Sequence, residues 1–303
     1  MNHFLKISDL SKNEILHIFQ RAQLLKSRQK TGKIYHPLAG KSLVMIFEKQ
    51  STRTRLSFEI GFQQLGGSAV VIQSRDTQLG RGEPLEDASK VISRMCDLVM
   101  IRTFHQKDLN KFATNSNVPV INGLTNEHHP CQILADIFTF IEERGQIENK
   151  LISWIGDINN VCFSWIEAAR ILGFRINVSC PPDYKENINK IKKLGAYCKF
   201  YDNPTEACCD ADLITTDVWT SMGFENETEI RRKKFEKWRV DEEKMNQASN
   251  DVLFMHCLPA HRGEEVSSDV IDGPNSVVWN EAENRLHVQK ALMEFLLLKY
   301  EVS

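Results

Sequence analysis

No run of about 18 consecutive apolar residues occurs in the chain, and the start, Met1-Asn2-His3-Phe4-Leu5-Lys6, has no long apolar core behind a basic flank. Neither a membrane span nor a secretory leader is indicated, which sets the expectation of a cytoplasmic protein. The eight cysteines, at 96, 131, 162, 180, 198, 208, 209 and 257, form no C-x-x-C pair and lie mostly inside apolar runs, as reduced thiols do. A surplus of one charge is also missing. Lys+Arg of 38 against Asp+Glu of 40 leaves a formal net charge of -2, which argues against nucleic acid or an acidic membrane as the main partner. Any anion specificity has to be local. Two phosphate-binding fingerprints are absent as well. Gly156-Asp157-Ile158-Asn159-Asn160 lacks the glycine spacing of dinucleotide sites, and no G-x-x-x-x-G-K-[ST] loop is present, so neither NAD, FAD nor ATP is implied. There is no internal repeat and no low-complexity linker, and 303 residues suit two domains of roughly 150 each.

What the chain does have is a concentrated set of donors. Ser51-Thr52-Arg53-Thr54-Arg55 follows the apolar run Leu43 to Phe47 and precedes Leu56-Ser57-Phe58-Glu59-Ile60-Gly61-Phe62, which stops at Gly66-Gly67. A buried strand, a polar turn and a helix with a glycine stop is the simplest reading of that order. The donors then fall on a helix N-terminus, where unpaired backbone N–H groups and the positive end of the dipole favour an anion. Ser51, Thr52 and Thr54 add hydroxyls, and Arg53 adds a planar fork that grips two oxygens at once. Alone, five such residues fit a capped helix with solvated arginines equally well. The rest of the chain has to decide.

Strand-like and helical patterns alternate from end to end. Ser11-Lys12-Asn13-Glu14 is a capping box opening a helix with Ile15, Ile18, Phe19, Ala22 and Leu25 on one face. Strands are expected near 69–72, 98–101, 118–121, 151–155, 176–178, 199–201, 213–216 and 252–255, with Pro84 in the first turn of a helix reaching about Met95. The pattern predicts an α/β protein of two doubly wound domains, each a parallel sheet flanked by helices, the two joined by helices near Ile133 to Glu143 and near Arg285. Their boundaries are expected near 143/144 and 284/285. The charged segment 225–243 reads as mobile. In such sheets ligands sit beyond the carboxyl ends of the strands. Ser51, Arg102 and the pair His129 and Gln132, which shares a helical face at i, i+3 spacing, lie past three strand ends in the first half. Asn160, Asp217 and Cys257 do so in the second. Two such clusters describe a two-substrate cleft between domains.

Five ordered segments carry a family resemblance: Ser-Thr-Arg-Thr-Arg at 51–55, Arg-Thr at 102–103, His-Pro-Cys-Gln at 129–132, Asp-x-x-x-Ser-Met-Gly at 217–223 and His-Cys-Leu-Pro at 256–259. Together they resemble the aspartate/ornithine carbamoyltransferase family over almost the whole chain. Ser221-Met222-Gly223 and Cys257-Leu258-Pro259 favour its ornithine-specific branch over those using aspartate, putrescine or N-acetylornithine. The resemblance implies that the first half binds carbamoyl phosphate and the second L-ornithine, and that 285–303 is a helix packing back on the first domain. It also implies a cytoplasmic homotrimer needing no metal and no organic cofactor, and the compact chain leans toward arginine biosynthesis.

Residue by residue, the resemblance places Ser51, Thr52, Arg53 and Thr54 on the phosphate, with Gln78, Pro130, Cys131, Cys257, Leu258 and Arg285 also at carbamoyl phosphate. Arg102 and His129 fall at the carbonyl oxygen as an oxyanion hole, and Gln132 at the carbamoyl amide. Asn160, Asp217, Ser221 and Met222 fall on ornithine, with Asp217 near its amino groups, Cys257 near the attacking δ-nitrogen and the 217–223 loop closing over it. No general base is assigned. Ile158 is bulkier than the small or basic residues expected in its turn. A non-catalytic metabolite-binding relative would dispense with at least one of Arg53, Arg102, His129, Asp217 and Cys257, and all five are present.

Overall fold

The computed structural model describes residues 3–73, 82–192, 197–220 and 228–298. Helices and strands follow one another as α1 (Lys12–Lys30), β1 (Ser42–Phe47), α2 (Thr52–Gln64), β2 (Ser68–Gln73), α3 (Leu85–Ile92), β3 (Leu98–Arg102), α4 (Gln106–Thr114), β4 (Val120–Leu124) and α5 (Pro130–Arg144). The second series is β5 (Leu151–Ile155), α6 (Asn160–Leu172), β6 (Arg175–Ser179), α7 (Lys185–Lys192), β7 (Cys198–Phe200), α8 (Pro204–Ala207), β8 (Leu213–Thr216), α9 (Thr228–Phe235), α10 (Glu242–Gln247), β9 (Leu253–His256), α11 (Ser268–Ile271) and α12 (Val278–Leu298). All named strand pairs are parallel, in a four-stranded sheet of order β2-β1-β3-β4 and a five-stranded sheet of order β7-β6-β5-β8-β9. This is the doubly wound α/β architecture that the alternation predicts. Among the described residues no helix is long and apolar enough to cross a membrane.

The chain packs as two units, one running to Phe138 and including the stretch from Glu283, the other Thr139–Ala282. Both borders fall inside helices, α5 and α12, where no change of composition marks them; the sequence reading sets them at 143/144 and 284/285.

In the first unit, β1 and β3 are buried along nearly their whole length, as strands covered by helices on both faces must be. Ser11 caps α1 in the expected capping box. Glycine lets α12 come close to α2: a Cβ at Gly61 would lie 3.1 Å from Lys290 Cγ. In the second unit Trp154, Trp165 and Phe174 are fully buried, the last two edge to face with ring centroids 5.8 Å apart.

Two local expectations need correction. Pro84 is the N-cap of α3 rather than part of its first turn, and the helix stops at Ile92, with Arg94 and Met95 in turns. The charged stretch 225–243 is, from Thr228 on, folded into α9, a 3-10 turn at Glu236–Trp238 and the start of α10. Phe235, Trp238 and Val240 are buried in the core of the second unit. Three apolar anchors outweigh a dense run of solvated charges.

Candidate active site

Strands β1, β3 and β4 are neighbours, so the turns leaving them open onto one edge of the first sheet. Strand order reverses between β1 and β3, the place where doubly wound sheets bind ligands. Phe47 and Arg102 are register partners at that edge, which sets Arg102 beside the start of α2. Ser51 caps α2, its Oγ accepting from Thr54 N at 3.2 Å. Thr54 is fully buried and forms the hub of the site. Its Oγ1 lies 3.0 Å from Ser51 Oγ, 3.3 Å from Arg102 Nη1 and 3.0 Å from Arg285 Nη2. A hydroxyl oxygen has two lone pairs, so these donors compete for it, and an anion with several oxygens would satisfy the excess. Arg285 Nη1 also donates to Gln132 Oε1 at 3.0 Å, while Gln132 Nε2 donates to Asp136 Oδ1 at 2.8 Å.

His129 immediately precedes α5 and is 5% exposed. Burial, reinforced by the nearby charges of Arg285, Arg102 and Arg53, holds its imidazole well below the usual histidine value. It is therefore neutral near pH 7, and can donate to a developing oxyanion without adding another charge to three arginines. Pro130 occupies the first position of α5, where its missing N–H costs nothing. Cys131 is a packing group in its side chain: Sγ donates to Asn122 O at 3.3 Å, and burial pushes the thiol up to about 12. Thr52 is exposed and Arg53 half-buried in the first turn of α2.

Sequence reasoning overlooked Lys49. It is 8% exposed, donates to Asn126 Oδ1 at 2.5 Å and lies 4.4 Å from the centre of the Phe104 ring; burial and then Arg102 lower its pKa. Its place one residue before the Gln50-Ser51 turn is the only signal the sequence offers. Glu48 fastens the same turn, accepting from Thr103 Oγ1 and donating its N–H to Arg102 O at 2.9 Å. A cavity of about 500 Å³ opens beside it, lined by Phe47, Gln50, Ser51, Thr52, Arg55 and Gln73 among others.

The second sheet repeats the arrangement. Strands β5, β8 and β9 are neighbours, and the order reverses between β5 and β8. Asp217, just past β8, accepts from Cys257 Sγ at 3.0 Å, from Asn159 Nδ2 at 2.7 Å and from Val218 N at 2.8 Å. Asn159 is the N-cap of α6, and its contact with Asp217 is one the sequence alone does not show. Asn160 begins the helix, half-buried, its Oδ1 accepting from Val161 N at 3.1 Å. Two adjacent asparagines look alike in sequence, and only the cap geometry tells them apart. Leu258 has a left-handed backbone, φ 53°, and its N–H donates to His256 Nδ1 at 2.9 Å. Gln78, Ser221 and Met222 lie outside the described residues.

Among the described residues, two groups bring three possible metal ligands within 4.8 Å of one another: Asp217, His256 and Cys257, and His261, Glu264 and Glu265. In the first, Asp217 takes three hydrogen bonds and both His256 ring nitrogens are engaged, by Leu258 N and Glu265. In the second, Glu264 pairs with Arg232, and Glu265 Oε1 serves His256 and His261 N. We assign both groups to hydrogen bonding.

Residues 2–142 match the carbamoyl-P binding domain of aspartate/ornithine carbamoyltransferases, and residues 148–296 match their Asp/Orn binding domain. The ornithine carbamoyltransferase of Methylobacillus flagellatus is 62% identical over 300 residues, 98% of each chain. Among solved structures, the ornithine carbamoyltransferase of Burkholderia thailandensis E264 superimposes with a TM-score of 0.91 at 55% identity, covering 98% of this chain and 99% of that one. The anabolic ornithine carbamoyltransferase of Campylobacter jejuni does so with a TM-score of 0.88 at 42% identity, covering 99% and 100%.

Proposed function

Since the chain belongs to the aspartate/ornithine carbamoyltransferase family, we propose that it transfers the carbamoyl group of carbamoyl phosphate to the δ-amine of L-ornithine, giving L-citrulline and phosphate. The observation that carries this reading is the convergence of Ser51, Arg102 and Arg285 on Thr54 Oγ1. Those donors, with Thr52, Arg53 and the first N–H groups of α2, suit a phosphate whose charge grows as it leaves. Arg102 and neutral His129 donate to the carbonyl oxygen as the amine adds, and one such donor is worth about 3 kcal/mol of barrier. Gln132 Oε1 accepts from the carbamoyl amide, which separates this substrate from other acyl phosphates.

The amine is the harder partner. An alkyl ammonium has a pKa of about 10.4, so freeing its lone pair at pH 7 costs about 4 to 5 kcal/mol. Asp217 and Cys257, already hydrogen-bonded to each other, orient the amino acid so that its uncharged δ-nitrogen faces the carbonyl carbon. The nitrogen–carbon bond forms, the carbon–oxygen bond breaks with its electron pair leaving on the phosphate, and the proton given up by the nitrogen passes to that departing phosphate. Asn160, Ser221 and Met222 take the remaining groups of ornithine, and Pro130, Cys131, Leu258 and Gln78 complete the carbamoyl phosphate site. The setting is arginine biosynthesis, a role supported by the anabolic relative from C. jejuni. The enzyme acts as a cytoplasmic homotrimer, and the exposed apolar side chains Leu56 and Ile60 on α2 and Val70 on the edge strand β2 support covered surfaces on those elements.

Colorimetric ureido-product formation tests the reading, with carbamoyl phosphate and, in parallel, L-ornithine, putrescine, N-acetylornithine and L-aspartate. Product from ornithine alone, slowed in Cys257→Ala, supports it. Product from another amine overturns the ornithine assignment, and product from none overturns carbamoyl transfer.

A further inference from the structure

Behind the Cys257 turn lies a buried pair that none of these steps uses. His256 is 1% exposed and Glu265 0%. Leu258 N–H donates to His256 Nδ1 at 2.9 Å, so Nδ1 carries no proton and the ring's proton sits on Nε2. Nε2 then donates to Glu265 Oε1 at 3.1 Å, an oxygen that also accepts from His261 N at 2.6 Å. The backbone N–H of His256 goes to Glu281 Oε2 at 2.9 Å. Cys257 is thus held between two residues that are each fixed. On one side is a strand end tied to Glu281. On the other is Leu258, whose φ of 53° a leucine keeps only where its surroundings hold it.

The tautomer matters because the two ring nitrogens face different partners. With its proton on Nδ1, the imidazole would set a donor against the Leu258 N–H and the turn would lose its anchor. A carboxylate that accepts from Nε2 removes that alternative. Glu265 is well placed for this, since the same oxygen also accepts from His261 N–H.

We propose that Glu265 is a positioning residue for carbamoyl transfer: by fixing the tautomer of His256 it anchors the Leu258 N–H and so holds the Cys257 thiol on Asp217 in the geometry that ornithine meets. The proposal rests on the placing of ornithine at Cys257 and Asp217.

The test compares Glu265→Leu, which removes the acceptor, with Glu265→Gln, which keeps an oxygen facing Nε2, and His256→Asn, which keeps an acceptor for Leu258 N–H. At saturating carbamoyl phosphate, Glu265→Leu is expected to raise the ornithine KM tenfold or more. Glu265→Gln and His256→Asn should stay within threefold of the parent, and the carbamoyl phosphate KM should move less than twofold in all three. A folded Glu265→Leu enzyme with an unchanged ornithine KM overturns the proposal. Cys257→Ala separates the layers: if it too leaves the ornithine KM unchanged, the placing of ornithine has failed, and if it raises KM while Glu265→Leu does not, only the role of Glu265 has. Should Glu265→Leu not fold, proton–nitrogen NMR of histidine-labelled parent protein decides, because His256 must appear as the Nε2–H tautomer alone and a mixture rules the proposal out.

Discussion

Arg285 Nη2 donates to Thr54 Oγ1 at 3.0 Å, across 231 residues of sequence. The last helix therefore brings a guanidinium to the first strand–helix turn, where the phosphate is proposed to bind. It can do so because α12 lies against α2 where Gly61 offers no side chain. Removing Arg285 would leave Thr54 and Gln132 without their shared donor.

Arg285→Met is accordingly expected to raise the KM for carbamoyl phosphate by roughly 10- to 100-fold, the scale of a lost charge-assisted hydrogen bond of about 1.5–3 kcal/mol. The ornithine KM measured at saturating carbamoyl phosphate should change little. Initial-rate kinetics with each substrate varied in turn checks this, and an effect confined to ornithine would contradict the assignment.

His129→Ala should lower kcat by roughly 10²- to 10³-fold, as expected for a missing oxyanion donor. Because burial and three arginines keep this imidazole well below its usual value, His129 should contribute no inflection between pH 6 and 7. A pH–rate profile of the parent enzyme with an acidic limb in that range, abolished in His129→Gln, would show instead that the ring titrates there.

Arg231 Nη1 lies 2.9 Å from Asp157 Oδ2 and donates to Trp219 O at 2.8 Å. Burial raises the Asp157 pKa even though Arg231 opposes the shift, so the carboxylate depends on this partner. Arg231→Ala is expected to cost about 3–5 kcal/mol of stability, the usual result of leaving one member of a buried pair alone. Asp157→Asn in the same background should recover part of it. Urea midpoints of the two variants and the parent give the comparison, and equal midpoints for parent and Arg231→Ala would refute it.

Acid should destabilise the protein through its buried histidines before its carboxylates titrate. Burial, helped by Lys290 and Lys26 and opposed by Glu283, lowers the His287 pKa from 6.5 to about 4. Between those values the unfolded chain binds the extra proton and the folded one does not, so stability falls as pH drops from about 6.5 toward 4. His129 acts in the same direction. Denaturation midpoints at pH 7, 6 and 5 should decline, and less steeply in His287→Gln. An identical slope in that variant would remove His287 from the account.

The sequence by itself determined the elements and what stands at their ends. Capping at Ser11 and Ser51, burial of β1 and β3, the placing of Ser51, Asp217 and Cys257 just past strand ends, and that of Arg102 as the last residue of its strand all follow from residues within a few positions of one another. These are local rules of dihedral preference, periodicity and backbone satisfaction. They failed where a distant partner outweighed the local signal: Phe235, Trp238 and Val240 are buried despite their charged neighbours, and Lys49 is buried beside Phe104. The tertiary structure decided which strand ends are neighbours, that Thr54 collects Arg102 and Arg285, that Asn159 reaches Asp217, and that Glu265 stands behind His256. The physical reason is that each of these depends on sheet order and on helices packed from far along the chain, and a hydrogen bond spanning 231 residues leaves no trace in the sequence around either partner.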